Sequence, residues 1–448
     1  MEFLKDKVIG SWVGMAVGEA MGLAVKGLKP ETIHQLFREM DGFKEVGPFL
    51  GKGIKHYRMQ GLYGAQTQMA LAVCDCLLKS RKVRAENLSE LFQRLSSNGP
   101  ENYLGVFRNP EGAFRKSLEW YSDEPLPFPA EQNTAGCGYA VMTIPIALFH
   151  RKSSPAMLEQ CLESILLMSR NPMEVFAGVL SAYLVTRFLA MEPPGDGGAA
   201  PNEQAATLLE AAAGECYKET QAIYSDRFPE VWEAFDDKIR AALPRTLQVL
   251  ADRFHMEREQ LVPWICQNAS ELLHLPISSP AQGHVLTLLP LALVLVLQEG
   301  TDFQGTLTRA LNMGKEAHKL GALAGAWAGA IHGFAAIPEA WKSGLVNARE
   351  IKARGEALFM RRAPKGLKDL YGMELGLTQK ESEERKRYMP KRAHKPAKKI
   401  PAAADAREGE GEDSSIPRKE DAAQWRKFQK DKTRMKRDRR RHLKFPLD

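Results

Sequence analysis

The chain has 448 residues, 44% of them hydrophobic and 26% charged, with a formal net charge of +7. That balance permits a large buried core, and six cysteines are too few for a disulfide scaffold at this length. The charge is uneven: residues 378–448 carry 23 Lys/Arg against 13 Asp/Glu, while residues 1–377 carry 39 against 42, so the basic character belongs to the C-terminal stretch.

The first residues are charged early and lack the apolar run of a signal peptide. Val8, Trp12, Met15, Val17 and Leu23 then thread a glycine-rich helix. Spacing near 3.6 residues predicts further helices over 67–78, 135–149, 157–168 and 173–189. A Pro- and Gly-rich loop follows at 192–202. Beyond it the pattern predicts helices over 205–217, 230–254, 282–298 and 306–362, the last broken at Pro338. The longest apolar run, 285–297, contains Pro290 and is shorter than the ~20 residues a spanning helix needs. It reads as a core helix, so no transmembrane segment is expected. Period-2 runs are few, and the fold class is all-α.

Glycines recur at 321, 325, 329 and 333. Small residues at that spacing make a smooth stripe on one helix face, and the expectation is a tight crossing with another helix of a water-soluble core. Cys74 and Cys76 are two apart, and nothing downstream completes a zinc pattern. A reduced, cytoplasmic location is the simplest expectation. Asp75 reads as a solvated or paired acid. Cys137, between Gly136 and Gly138 at an expected helix start, is a candidate nucleophile, because thiol pKa falls at helix N-termini.

From Lys380 the apolar periodicity fades. Residues 388–401 form a basic Pro-rich stretch, and 402–415 an acidic one. The end mixes cations with aromatics, and Trp425, Arg426, Lys427, Lys436, Arg437, Arg439, Arg440 and Arg441 are candidate contacts to RNA or DNA. An acidic protein, an anionic membrane surface and a merely solvating role remain alternatives. The expected division is a helical domain over 1–375 and a basic low-complexity tail over 376–448, disordered or partly helical.

Five blocks between Asp6 and Trp341 resemble the ADP-ribosylglycohydrolase family. The resemblance implies a compact orthogonal multi-helix bundle. Gly18-Glu19-Ala20-Met21-Gly22 is similar to its Gly-Asp-Ala-hydrophobic-Gly, with Lys26 where the family commonly places a glutamate. Gly64-Ala65-Gln66-Thr67-Gln68-Met69 stands where the family has Thr-Asp-Asp-Thr-x-Met. Gly136-Cys137-Gly138 to Pro145 resembles Gly-Asn-Gly-Ala-Ala-Met-Arg-x-x-Pro. Ser169-Arg170-Asn171-Pro172 resembles a Thr-His turn, with Arg170 in the histidine position. Gly314-Lys315-Glu316-Ala317-His318-Lys319 replaces Gly-Gly-Asp-x-Asp-Thr and leads to Ile337-Pro338 and Trp341.

The family holds two magnesium ions with those aspartates, and magnesium wants hard, charged oxygen ligands. Their loss points to a catalytically degenerate binding or scaffolding protein with no cofactor. The alternative is an active hydrolase of an ADP-ribosyl or related N-/O-glycosidic substrate with a remodelled site, in which magnesium or a single softer metal on Glu316 and His318 would act. The cleft candidates are Glu19, Lys26, Gln66, Thr67, Gly136, Cys137, Gly138, Arg170, Glu316, His318 and Lys319. They would either bind ADP-ribose or a nucleotide-like anion at a helix N-terminus, or plug the former metal space through bridges such as Lys319 to Glu19 or Glu316.

Overall fold

The computed structural model describes residues 1–120, 135–193, 202–298, 300 and 302–388. The chain divides into the units Met1–Pro390 and Lys391–Asp448, and the described residues all fall in the first. The expected tail contacts at 425–441 therefore lie outside the described residues. Among those described, helices dominate and pairing is limited to isolated bridges, one of which joins Gly136 to His284.

Eight helices set the frame: α1 (Glu2–Leu23), α2 (Ala65–Ser80), α3 (Ile144–His150), α4 (Pro172–Ala190), α5 (Val285–Leu297), α6 (Ala317–His332), α7 (Ala348–Met360) and α8 (Leu370–Tyr388). From Lys7 to Leu23 every residue of α1 is buried, so it is a central helix enclosed on all sides. Its glycines face those of α6. A Cβ on Gly14 would overlap the Gly325 carbonyl, one on Gly18 the Gly321 carbonyl, and one on Gly10 the backbone from Gly329 to Phe334. The stripe at 321–333 is thus a backbone-to-backbone crossing, as its spacing implies. At the far end Gly22 lies against Ala317 and His318, which brings the C-terminal turn of α1 to the N-terminus of α6.

Two further contacts anchor α1. Trp12 Nε1 donates to the Ile351 carbonyl of α7 at 2.8 Å. Lys7 is buried and donates to the Leu189 and Met191 carbonyls, closing the C-terminal end of α4 with a cation. α4 is long and apolar enough to cross a membrane, but 89% of that window is buried inside the molecule, as in a core helix.

Several expected bounds move. Residues 135–137 run into the bridge with His284, 138–143 are turns, and only Ile144–His150 is helical. The expected helix over 230–254 is three short pieces, Pro229–Glu233, Asp237–Arg240 and Ala242–Arg253. The boundary expected at 375 falls inside α8, whose Glu374, Thr378 and Glu381 are buried. Glu374 pairs with the buried Arg108 at 2.7 Å and accepts from Tyr63 and Gln68 at 2.6 and 2.8 Å. Thr378 accepts from Arg108 at 2.9 Å and donates to the Val106 carbonyl at 2.6 Å. This segment buries polar groups instead of apolar ones, so hydrophobic periodicity does not report it.

Candidate functional site

The crossing of α1 with α6 delivers Glu19, Glu316, His318 and Lys319 to the N-terminus of α2. Glu19 is buried and takes the orphan donors there: Gln66 N–H at 3.0 Å and Thr67 N–H at 2.8 Å. Burial raises the Glu19 pKa, and the bonds from Thr67, Gln66 and Gly64 hold part of it down. Gly64 has no side chain to cap the helix, and a Cβ there would stand 2.9 Å from Glu19 Oε1. The longer acid at 19 and the bare backbone at 64 therefore fit as a pair.

Lys319 is buried and lies 2.7 Å from Glu111 Oε1 and 3.1 Å from Glu316 Oε2. Burial works against its charge, but the two carboxylates outweigh that cost and raise its pKa. Gln66 Nε2 donates to the same Glu111 oxygen at 3.1 Å. His318 Nε2 is 3.8 Å from Glu316 Oε2, and neither ring nitrogen has a hydrogen-bond partner among the described residues. Burial, then Lys26, Lys319 and Arg58, push its pKa well below the usual value, so the ring is neutral.

Other expected members play different parts. Lys319 pairs with Glu316, as one alternative had it, but with Glu111 in place of Glu19. Gly136 N–H donates to Glu174 Oε1 at 2.6 Å and Cys137 N–H to the Gly283 carbonyl at 3.1 Å, so neither amide is free for an anion. The Cys137 thiol is fully buried and burial raises its pKa, which removes the basis for a nucleophile. Gly138 leaves room for Glu111, whose Oε2 a Cβ would meet at 3.0 Å. Arg170 lines neither cavity at the site; its carbonyl accepts from Tyr224 at 3.0 Å. Asp75 pairs with Lys79 at 2.8 Å, in keeping with the expectation. Glu111 precedes the helix Gly112–Trp120, where no periodicity marks its face, and Glu174 is a lone acid in the first turn of α4, where an acid is ordinary at a helix N-terminus, so neither reads as a site residue from sequence.

Comparisons with known proteins bear on the same region. The ADP-ribosylglycohydrolase family profile matches residues 1–368. The chain belongs to the ADP-ribosylglycohydrolase family. A protein of Archaeoglobus fulgidus, named only as uncharacterized, is 25% identical over 348 residues, which cover 76% of this chain and 92% of that protein. A solved structure titled "ADP-ribosylglycohydrolase-related protein complex" matches with a TM-score of 0.53 and 21% identity, over 81% of this chain and 99% of that one. It shares the all-α fold.

The two-magnesium centre associated with the ADP-ribosylglycohydrolase family does not fit these side chains. Gly64 and Ala65 offer no side-chain oxygen, and Gln66 only a neutral one. The remaining donor set, Glu111, Glu316 and His318, has its ligand atoms within 4.8 Å of one another. The Lys319 ammonium stands among them. At ~4 Å two unit charges interact by about 4 kcal/mol at an intermediate dielectric, enough for the ammonium to oppose a dication strongly.

Two cavities flank this bridge, and Glu316 lines both. One, of about 490 Å³, runs along Gly136, Ile277 and His284. Burial lowers the His284 pKa to about 4. The other, of about 540 Å³, gathers Lys26, Lys55, Arg58, Arg115 and Arg385. Lys26 is half-buried, and burial lowers its pKa although Glu316 and Glu111 pull it up.

Proposed function

We propose that this protein is a catalytically silent, metal-independent binding member of its family, whose cleft takes an anionic ligand such as ADP-ribose or a nucleotide. One observation carries the reading: the Lys319 ammonium between Glu111 and Glu316, at 2.7 and 3.1 Å, takes the place a metal would need. The cationic cavity beside it supplies the attraction for phosphate. No cofactor is required. The six free cysteines agree with a reducing, cytoplasmic setting. The basic tail, with its aromatics, adds a second contact for RNA, DNA or an acidic protein on this reading.

The competing reading, an active hydrolase with a remodelled site, has the Glu111, Glu316 and His318 cluster in its favour. Calorimetry with ADP-ribose, with and without magnesium, separates the two when run beside a turnover assay on arginine- and serine-linked ADP-ribose. The expected result is binding that magnesium leaves unchanged, and no turnover. Lys319→Ala, which frees Glu111 and Glu316, is expected to gain affinity for divalent cations that the natural protein lacks. Turnover by the natural protein that a chelator abolishes would establish the hydrolase instead.

A further inference from the structure

The 540 Å³ cavity has more cation than an internal plug requires. Lys26, Lys55, Arg58, Arg115 and Arg385 reach it from four separate parts of the chain: the end of α1, the segment before α2, the helix Gly112–Trp120, and α8. None of the five forms an ion pair among the described residues. The carboxylates on the same wall are already held. Glu316 is bridged to Lys319 at 3.1 Å. Glu381 accepts from Met59 N–H at 3.2 Å and Tyr103 O–H at 3.0 Å. The wall therefore carries five cations against two carboxylates, Glu316 and Glu381, and none of the five stands within ion-pair distance of an acid among the described residues.

An aromatic step adjoins this wall. Tyr388, at the end of α8, stacks on Tyr57 with ring centroids 4.9 Å apart and planes 18° from parallel. Its hydroxyl donates to Glu45 at 2.8 Å, and its ring fills the space that Gly47 leaves. Tyr388 is thus seated, yet 39% of its surface is exposed. Single-stranded nucleic acids are held without base identity by this pairing of features: a cationic groove along the backbone and an aromatic face for a base.

We propose that the cavity and the Tyr57–Tyr388 step bind single-stranded nucleic acid, with phosphodiesters on Lys26, Lys55, Arg58, Arg115 and Arg385 and a base on Tyr388. The proposal rests on the metal-free reading of the cleft and names the ligand's class. A free nucleotide would need one or two of these cations. Five cations around one cavity and a stacking face beyond it match a run of phosphates. The sequence that follows Tyr388 has the same chemistry, since residues 391–448 hold 19 Lys/Arg against 10 Asp/Glu with Trp425 and Phe428 among them.

The test is fluorescence anisotropy of the full chain with labelled 12-nucleotide oligouridine and oligothymidine at several salt concentrations. Lys55→Glu with Arg115→Glu changes two exposed side chains. It is expected to weaken binding at least tenfold and to flatten the logarithmic salt slope by about 1.4, two single-strand phosphate contacts. Tyr388→Ala is expected to lose roughly 5- to 150-fold, the range for one stacked base, and Tyr388→Phe to restore it. Lys152→Glu with Lys218→Glu makes the same charge change away from the cavity and is expected to stay within twofold. Circular dichroism checks that each variant is folded. A comparison of RNA with DNA reports which strand is preferred.

Equal effects of the two double variants would assign binding to net charge and overturn the proposal. Full displacement of the oligomer by pyrophosphate or ADP-ribose at equal molar concentration would also overturn it, because the ligand would then be a small phosphate ester. Chelator-sensitive turnover is a separate readout: it would end the metal-free reading whatever the oligomers do.

Discussion

Glu174 shows how one buried acid sets a pH dependence. It accepts from Gly136 N–H at 2.6 Å and from the Ser169 hydroxyl, yet burial still lifts its pKa to about 7. The folded state therefore keeps a proton on Glu174 between pH 4.5 and 7, where the unfolded chain has released it. The stability this proton contributes is present below the unfolded value and lost as pH rises through 7. Glu174→Gln, fixed in the neutral form, escapes that loss. It should be nearly silent at pH 5 and raise stability at pH 8 by up to about 3 kcal/mol, the order of magnitude of a shift this size. Urea unfolding at both pH values measures it. Equal effects at pH 5 and 8 would mean that the carboxyl does not titrate inside the fold. His284 and His318, both held neutral, act in the opposite direction, losing stability as pH falls below about 6.5 because the unfolded histidines take up protons first.

At the scale of elements, the seam between α1 and α6 decides where the site residues stand. Glycine in a helix costs about 1 kcal/mol against alanine, so Gly325→Ala would stabilise an open helix. Here the added methyl meets the Gly14 carbonyl, and backbone has little freedom to yield. Overpacking of about 1–3 kcal/mol or more should outweigh the propensity gain. Gly325→Ala is expected to lower the melting temperature and weaken ligand binding in the cleft, because Glu19 and Lys319 ride on the two helices. An unchanged or raised melting temperature would show that the helices separate freely. The glycine spacing made this crossing readable from sequence, since it reports a face without needing its partner. The non-helical segment at 135–143 was not readable, because small and apolar residues there satisfy a helical pattern while Gly136 and Cys137 bond to Glu174 and Gly283. Acids placed by tertiary approach, such as Glu111 against Lys319, leave no local mark at all.

For the whole molecule, the acid-free stretch at 64–66 is plain in the sequence, but the side chains that meet around it are not. The cation at 319 is visible in the sequence; only the fold shows that it sits between Glu111 and Glu316 while Glu19 turns to cap α2. The C-terminal boundary follows the same rule. A cut after residue 377 matches the fading apolar pattern, but it removes Thr378 and Glu381 and with them one partner of Arg108 and the carboxylate that Met59 N–H and Tyr103 O–H share. A cut after residue 390 keeps all of α8. The longer form should melt close to the full chain, while the shorter should lose several kcal/mol, since buried polar groups left without partners cost about 1–3 kcal/mol each. Thermal melts of the two truncations beside the full chain decide this. Matching melts for both cuts would place the end of the folded unit before Thr378, and would leave the buried bonds of α8 without weight in the fold. The form ending at 390 also lacks the net +9 of residues 391–448, so any nucleic-acid affinity it retains measures the cleft alone.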